Sequence, residues 1–136
     1  GLSRILVDTN VLIDVLHHDP VWAPWSDGNL QRAADEAVVV INPIVYGELS
    51  LGFPTVEALD KALEPHLFER EGLPYAAAFL AGRAFLAYRR RGGSRTSPMP
   101  DFYIGAHAAV ARYRLLTRDA TRYRTYFPTI ELIAPE

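Results

Sequence analysis

Apolar positions follow two rhythms along this chain. Arg4-Ile5-Leu6-Val7 and Val38-Val39-Val40-Ile41 are short, nearly unbroken apolar runs and read as buried strands. After the first run, Val11, Leu12, Val15 and Leu16 recur at helical spacing, so the chain turns into a helix near Thr9. Residues 18–28 hold Pro20, Pro24 and Gly28 and read as a loop, with Asp27 or Asn29 capping a helix through Glu36. Asn42-Pro43 supplies a cap and a proline at the first helical position of a helix running to about Leu51. That helix stops at Gly52-Phe53-Pro54. Thr55 starts another, which ends before Pro65, and residues 66–71 form a weak strand. Pro74 opens a long Ala- and Leu-rich helix that ends with Arg91. Gly92 to Pro100 is a loop by composition. Asp101 caps a helix through about Arg114. Leu115-Leu116-Thr117 is a short strand, residues 118–126 a turn with a helical piece, and Thr129 to Ile133 the last strand.

Strands that alternate with helices pair in parallel through right-handed crossovers. Apolar strands without polar alternation belong to a sheet covered on both faces. The expected fold is α/β: a three-layer α/β/α sandwich with a mostly parallel sheet of about five strands. No repeat or low-complexity tract interrupts it, and residues 1–136 read as a single domain. Ligands in such folds bind at the carboxyl ends of the strands.

Composition narrows the chemistry. The 136 residues contain no cysteine, which excludes a disulfide scaffold, a zinc finger and a Cys nucleophile. No run approaches the ~18 apolar residues of a membrane span. No secretory signal is visible, so a soluble cytoplasmic protein is expected. The net charge of −2 argues against a simple nucleic-acid-coating protein, but it hides two opposed regions. Residues 1–88 carry 5 basic and 12 acidic side chains, and residues 89–136 carry 9 basic and 4 acidic ones. Thirteen of the fourteen cations are Arg, and Lys61 is the only Lys.

Four carboxylates fall where the fold puts chemistry. Asp8 ends the first strand, and Asp119 follows the Leu115-Leu116-Thr117 strand. Asp101 opens a helix after a loop. Glu48 lies about a turn and a half into the helix after the second strand, within reach of the sheet edge. Each has an ordinary structural role open to it: Asp8 and Asp101 as caps, Glu48 as a solvated helix residue, Asp119 as a turn residue. As a set, the four repel one another unless a cation joins them. Hard cations such as Mg²⁺ and Mn²⁺ prefer oxygen ligands. Carboxylate-held metal suits phosphodiester hydrolysis by activated water. The four histidines, at 17, 18, 66 and 107, show no zinc-ligand spacing.

The same residues resemble the PIN-domain family of nucleases. Leu6-Val7-Asp8-Thr9-Asn10-Val11-Leu12-Ile13-Asp14 is similar to the family's opening strand and acidic signature. Tyr46-Gly47-Glu48-Leu49 resembles its second acidic site. Pro100-Asp101-Phe102-Tyr103-Ile104-Gly105-Ala106-His107-Ala108 resembles its third, and Leu116-Thr117-Arg118-Asp119 its fourth. The resemblance covers nearly the whole chain. Gly105, where Ala is commoner, and the bulky Tyr103 are small departures. Short chains of this kind resemble the toxin (VapC-type) of bacterial type II toxin–antitoxin pairs.

The resemblance implies a Mg²⁺- or Mn²⁺-dependent endoribonuclease leaving 5′-phosphate and 3′-hydroxyl ends. It further implies a homodimer, a cognate antitoxin whose tail enters the acidic groove, and RNA substrates such as tRNA or rRNA loops. Asp8, Glu48 and Asp101 are then metal ligands, and Asp119 binds a second metal or orients the attacking water. Asn10 holds Asp8 or the substrate, and Thr117 supports the pocket. Asp14 either enlarges the acidic site or is a solvated helix residue.

Arg89, Arg90, Arg91 and Arg95 flank the loop before Asp101, and Arg112, Arg114, Arg118, Arg122 and Arg124 surround Asp119. They are candidate RNA contacts, or, for residues 89–91, cations completing a helix C-terminus. Trp22 and Trp25 either stack a base or antitoxin helix or pack on the domain's own core. His107 reads as structural. Two other classes compete. An Asp-based phosphoryl-transfer module requires a strand-end Lys, but Lys61 falls within a helix; a dehalogenase-type phosphatase wants Asp where Asn10 stands. A non-catalytic PIN-like partner-binding domain has no need of all four acids.

Overall fold

The computed structural model describes residues 3–93 and 99–136. Five strands form one parallel sheet: β1 (Arg4–Val7), β2 (Val38–Ile41), β3 (Glu69–Arg70), β4 (Arg114–Leu116) and β5 (Leu132–Ile133), in the order β3-β2-β1-β4-β5. β1 is central, with Leu6 in register with Val40 on one side and Leu115 on the other. Ile5, Leu6 and Val7 are fully buried, which is why this strand carries no polar alternation.

Among the described residues seven helices surround the sheet: α1 (Thr9–Leu16), α2 (Ala23–Glu36), α3 (Pro43–Leu49), α4 (Val56–Leu63), α5 (Tyr75–Arg90), α6 (Met99–Ala111) and α7 (Thr121–Tyr126). α1 packs on α2 and α3, whereas α5 packs on α6 and α6 on α7. Right-handed crossovers put the two groups on opposite faces, giving the expected three layers. The α5–α6 contact is the most extensive between helices, and small residues permit it: Ala77, Ala81 and Ala84 meet a helix carrying Gly105, Ala106 and Ala108. An aromatic cluster closes one end, with Phe102 ring-to-ring at 5.4 Å from Phe85, Tyr88 and Tyr126.

Local chemistry sets most boundaries. The Asn42 side chain accepts from the Val45 N–H at 2.9 Å, and Pro43 occupies the first turn of α3. Thr55 caps α4 by accepting from the Ala58 N–H. The reading of residues 18–28 as a loop needs correction, because α2 begins at Ala23 and contains Pro24 and Gly28. Pro24 falls in the first turn, where its missing N–H costs nothing. Asp19 Oδ1 accepts from the Val21 and Trp22 N–H groups ahead of the helix, so neither Asp27 nor Asn29 serves as its cap.

Asp101 is not a cap either, since α6 starts two residues earlier at Met99. The same helix stops before Arg114 because Arg112 takes a left-handed conformation (φ 60°), freeing the chain to enter β4. The expected strand over 66–71 shrinks to Glu69–Arg70, because Glu64–His66 forms a tight turn and Leu67 is left-handed (φ 53°). No helix among the described residues is long and apolar enough to cross a membrane.

Asn42 does a second job. Its amide nitrogen lies 3.0 Å from Nδ1 of the fully buried His107 on α6, tying the start of α3 to the middle of α6. Asn42→Ala removes a cap and orphans a buried ring nitrogen, each worth about 1–2 kcal/mol. The expected loss is therefore about 2–4 kcal/mol in urea unfolding. A change within error of wild type would show that neither bond matters.

Candidate active site

β1 lies where the sheet changes direction: the chain leaves it toward β2 and β3, and later returns on its other side as β4 and β5. The crevice between the carboxyl ends of β1 and β4 is thus the topological switch point, where open α/β sheets bind ligands. The ladder continues past the strand ends, with the Asp8 N–H bonded to the Leu116 carbonyl at 2.9 Å. Asp8 and Thr117 therefore stand side by side on that rim. A cavity of about 330 Å³ opens there, lined by Asp8, Asn10, Asp101, Asp119, Thr121, Arg122, Thr125 and Tyr126.

Asp8 is 3% exposed. Its Oδ1 accepts from the Thr9 N–H at 2.8 Å. Its Oδ2 accepts from the Thr117 hydroxyl and from the Tyr123 hydroxyl, both at 2.8 Å. The Asn10 amide lies 3.5 Å from the same oxygen, and its own Oδ1 accepts from the Arg118 N–H. Thr117 in turn accepts from the Asp119 N–H at 3.1 Å, fixing the turn that carries that acid. Asn10 and Thr117 thus hold Asp8 in place. Both cap and site roles meet in Asp8, which is also the N-cap of α1.

The other acids approach from different elements. Asp101, in the first turn of α6, faces the cavity and is bonded to Arg122 at 2.9 Å. Asp119 is exposed at the rim. Glu48, half-buried on α3, is not among the residues lining the cavity; its Oε1 accepts from the Thr9 hydroxyl at 2.6 Å, one residue from Asp8.

The group is electrostatically unfavourable by itself. Burial first, then the Asp101 charge, pushes Asp8 up to about 7, while Tyr123, Thr117 and Thr9 pull the other way. Burial and Asp101 also raise Glu48, against its hydrogen bond from Thr9. Asp101 is raised by burial and Asp119, opposed by Arg122. Such a pocket gains from a cation. Its donors are all oxygen, which suits a hard divalent ion. Among the described residues, however, no three His, Cys, Asp or Glu side chains stand close enough together to hold one. The cation present is the guanidinium of Arg122, stacked over Phe102 and Tyr88.

The remaining sequence candidates are placed as follows. Asp14 is neither in the acidic site nor solvated: it is fully buried, accepts from Ser26 at 2.7 Å and receives both ends of the Arg118 fork at 2.8 and 2.9 Å. Arg118 is thereby committed to Asp14, with its guanidinium 5.4 Å from the Trp22 ring. Trp25 packs partly buried against the core, and its ring meets Trp22 edge-on at 6.3 Å. Arg89, Arg90 and Arg91 are exposed at the end of α5, with Arg91 over the Tyr126 ring that lines the cavity. Arg95 lies outside the described residues. Tyr123 escaped the sequence reading, and Arg122, read there as a candidate phosphate contact, pairs with Asp101. Their short helix gave only one signal, a buried aromatic beside an Arg just past the fourth acid.

A sheet of this order, with Asp8, Asp101 and Asp119 lining a cavity at its switch point and Glu48 just outside it, defines an acid-edged α/β domain. The PIN domain model matches residues 5–128, and the chain belongs to that family. No curated protein matches the sequence. Among solved structures, VapBC2 of Rickettsia felis bound to a promoter DNA fragment superposes with a TM-score of 0.75 at 19% identity, covering 98% of this chain and all of that one. A toxin–antitoxin complex of Klebsiella pneumoniae gives 0.71 at 19% identity, over 97% of this chain and 98% of that one. FitAcB of Neisseria gonorrhoeae gives 0.64 at 22% identity, over 95% and 96%. At these identities the likeness is one of fold.

Two measurements test this electrostatic picture. Arg118→Ala leaves Asp14 buried without its partner and should cost about 3–5 kcal/mol in chemical unfolding, much of it restored when Asp14→Ala is added. Asp8 is held near 7 against an ordinary value of 3.8. Between those values the folded chain keeps a proton that the unfolded chain has released, so stability falls as pH rises through that window. In chelator-treated protein, Asp8→Asn should match wild type below about pH 4 and then grow steadily more stable than it up to about pH 7. A difference independent of pH would refute the shift.

Proposed function

We propose that the chain is a Mg²⁺- or Mn²⁺-dependent endoribonuclease, the toxin of a type II toxin–antitoxin pair, with residues 1–136 acting as one domain. The observation that carries this reading is the meeting of Asp8, Asp101 and Asp119 around one cavity at the switch point, where the Asp101 charge raises the proton affinity of Asp8 and the Asp119 charge that of Asp101. PIN-family membership supports nuclease chemistry. A bound divalent cation supplies Lewis acidity and makes water a nucleophile near neutral pH.

The chain's own groups do the rest. Asp8 and Asp101 offer carboxylate oxygens inside the cavity, and Glu48 reaches the same cation from beside Thr9. Asp119, at the rim, orients the attacking water or holds a second ion. Thr117 and Asn10 keep Asp8 from rotating. Arg122, paired with Asp101 here, would turn to an incoming phosphate were that carboxylate to hold a cation instead. The exposed Arg89, Arg90 and Arg91 hold flanking phosphates of unpaired RNA, such as a tRNA or rRNA loop. The fold neighbours VapBC2 and the Klebsiella complex contain antitoxins, which supports a cognate antitoxin as partner here, and the family resemblance supports a homodimer.

Purified protein incubated with total RNA and Mn²⁺ should cleave it, and chelator should stop the reaction. Asp8→Asn and Asp101→Asn should each lower the rate by at least about 100-fold, beyond what loss of a supporting residue costs a metal site. Cleavage that survives in both variants would overturn the assignment.

A further inference from the structure

Tyr123 has no place in the acidic signature, yet it makes one of the two shortest side-chain contacts to Asp8. We propose that Tyr123 is a positioning residue for the reaction: its phenol, seated against Gly105, fixes the rotation of the Asp8 carboxylate. This rests on the nuclease reading above.

A carboxylate's last torsion is broad and roughly two-fold, so an Asp side chain in a water-accessible site samples many orientations. Asp8 has little of that freedom. Two hydroxyls, from Thr117 on the rim of β4 and Tyr123 on α7, converge on Oδ2 at 2.8 Å, while the Thr9 N–H takes Oδ1. The three donors come from different elements, so turning the carboxylate breaks bonds to at least one of them.

Tyr123 serves this purpose because its ring cannot move. It is 1% exposed and belongs to the main core cluster. The ring packs where residue 105 has no side chain. A Cβ there would stand 3.0 Å from Tyr123 Cδ1 and 2.5 Å from the Phe127 ring. The Phe127 ring, just past α7, would have to shift to admit it, and the Tyr123 ring would have to give by a few tenths of an ångström. Gly105 lies four residues beyond Asp101 on the same helix. The glycine thus lets the Tyr123 ring pack closely on the helix that supplies Asp101.

The test compares Tyr123→Phe, which keeps the ring and deletes the donor, with Tyr113→Phe. Tyr113 makes an equivalent bond, to Glu71 at 2.8 Å, away from the cavity. Tyr123→Phe should lower kcat by about 10–100-fold with KM unchanged, the range for losing a residue that orients a ligand. Mn²⁺ affinity, read by electron paramagnetic resonance without RNA, should fall by a similar factor. Tyr113→Phe should leave kcat and Mn²⁺ affinity at wild-type values while losing comparable thermal stability. Wild-type kcat and Mn²⁺ affinity in Tyr123→Phe, or an equal loss in Tyr113→Phe, would overturn the inference alone. Wild-type protein that neither binds Mn²⁺ nor cleaves RNA would overturn the nuclease reading itself.

Discussion

A carboxylate taken out of water raises the free energy of the fold unless donors or a cation meet it. Asp8 sits under that constraint at the end of the central strand, almost wholly buried. The Thr9 N–H, the Thr117 and Tyr123 hydroxyls and the Asn10 amide answer part of the cost. They do not answer all of it, since the group still holds its proton to about 7. The residual cost is what a divalent cation bound beside it would relieve. The same logic extends outward to Glu48 and Asp101, whose burial and mutual repulsion point the same way.

The charge asymmetry of the chain takes a definite spatial form. Arginines of the basic third pair with acids brought to them from other elements. Arg118 joins α1 to the turn after β4 through the buried Asp14, and Arg122 covers Asp101 at the mouth of the cavity. The first pair fixes the angle at which α1 leaves the site. The second gives the site a resident cation of its own. The arginines that end α5 are a separate population, exposed at the surface.

Much of this was legible in the residues. The strands β1 and β2, the Asn42-Pro43 start of α3 and the Thr55 start of α4 were all readable, because short-range apolar periodicity and caps control them. Asp8, Asp101 and Asp119 stood out because each follows a strand or falls at the start of a helix at the carboxyl edge of the sheet, and Glu48 because its helix places it within reach of that edge. The start of α2 did not, since Pro24 and Gly28 look like loop residues unless Asp19 is known to satisfy the preceding N–H groups. The left-handed turns at Leu67 and Arg112 shortened β3 and α6, and neither residue type announces such a conformation.

What the sequence determined by itself was therefore the parallel α/β architecture and the identity of the acidic set, both properties of local pattern and order along the chain. Which acids share a cavity was decided in three dimensions. Asp14 looks from its position like a member of the set, but Arg118, 104 residues away, takes it out of the site. Tyr123 looks like an ordinary core aromatic, but packing on Gly105 delivers its hydroxyl to Asp8, 115 residues away. Contacts over such separations depend on how the two helical layers close over the sheet, and no local pattern in the sequence encodes that.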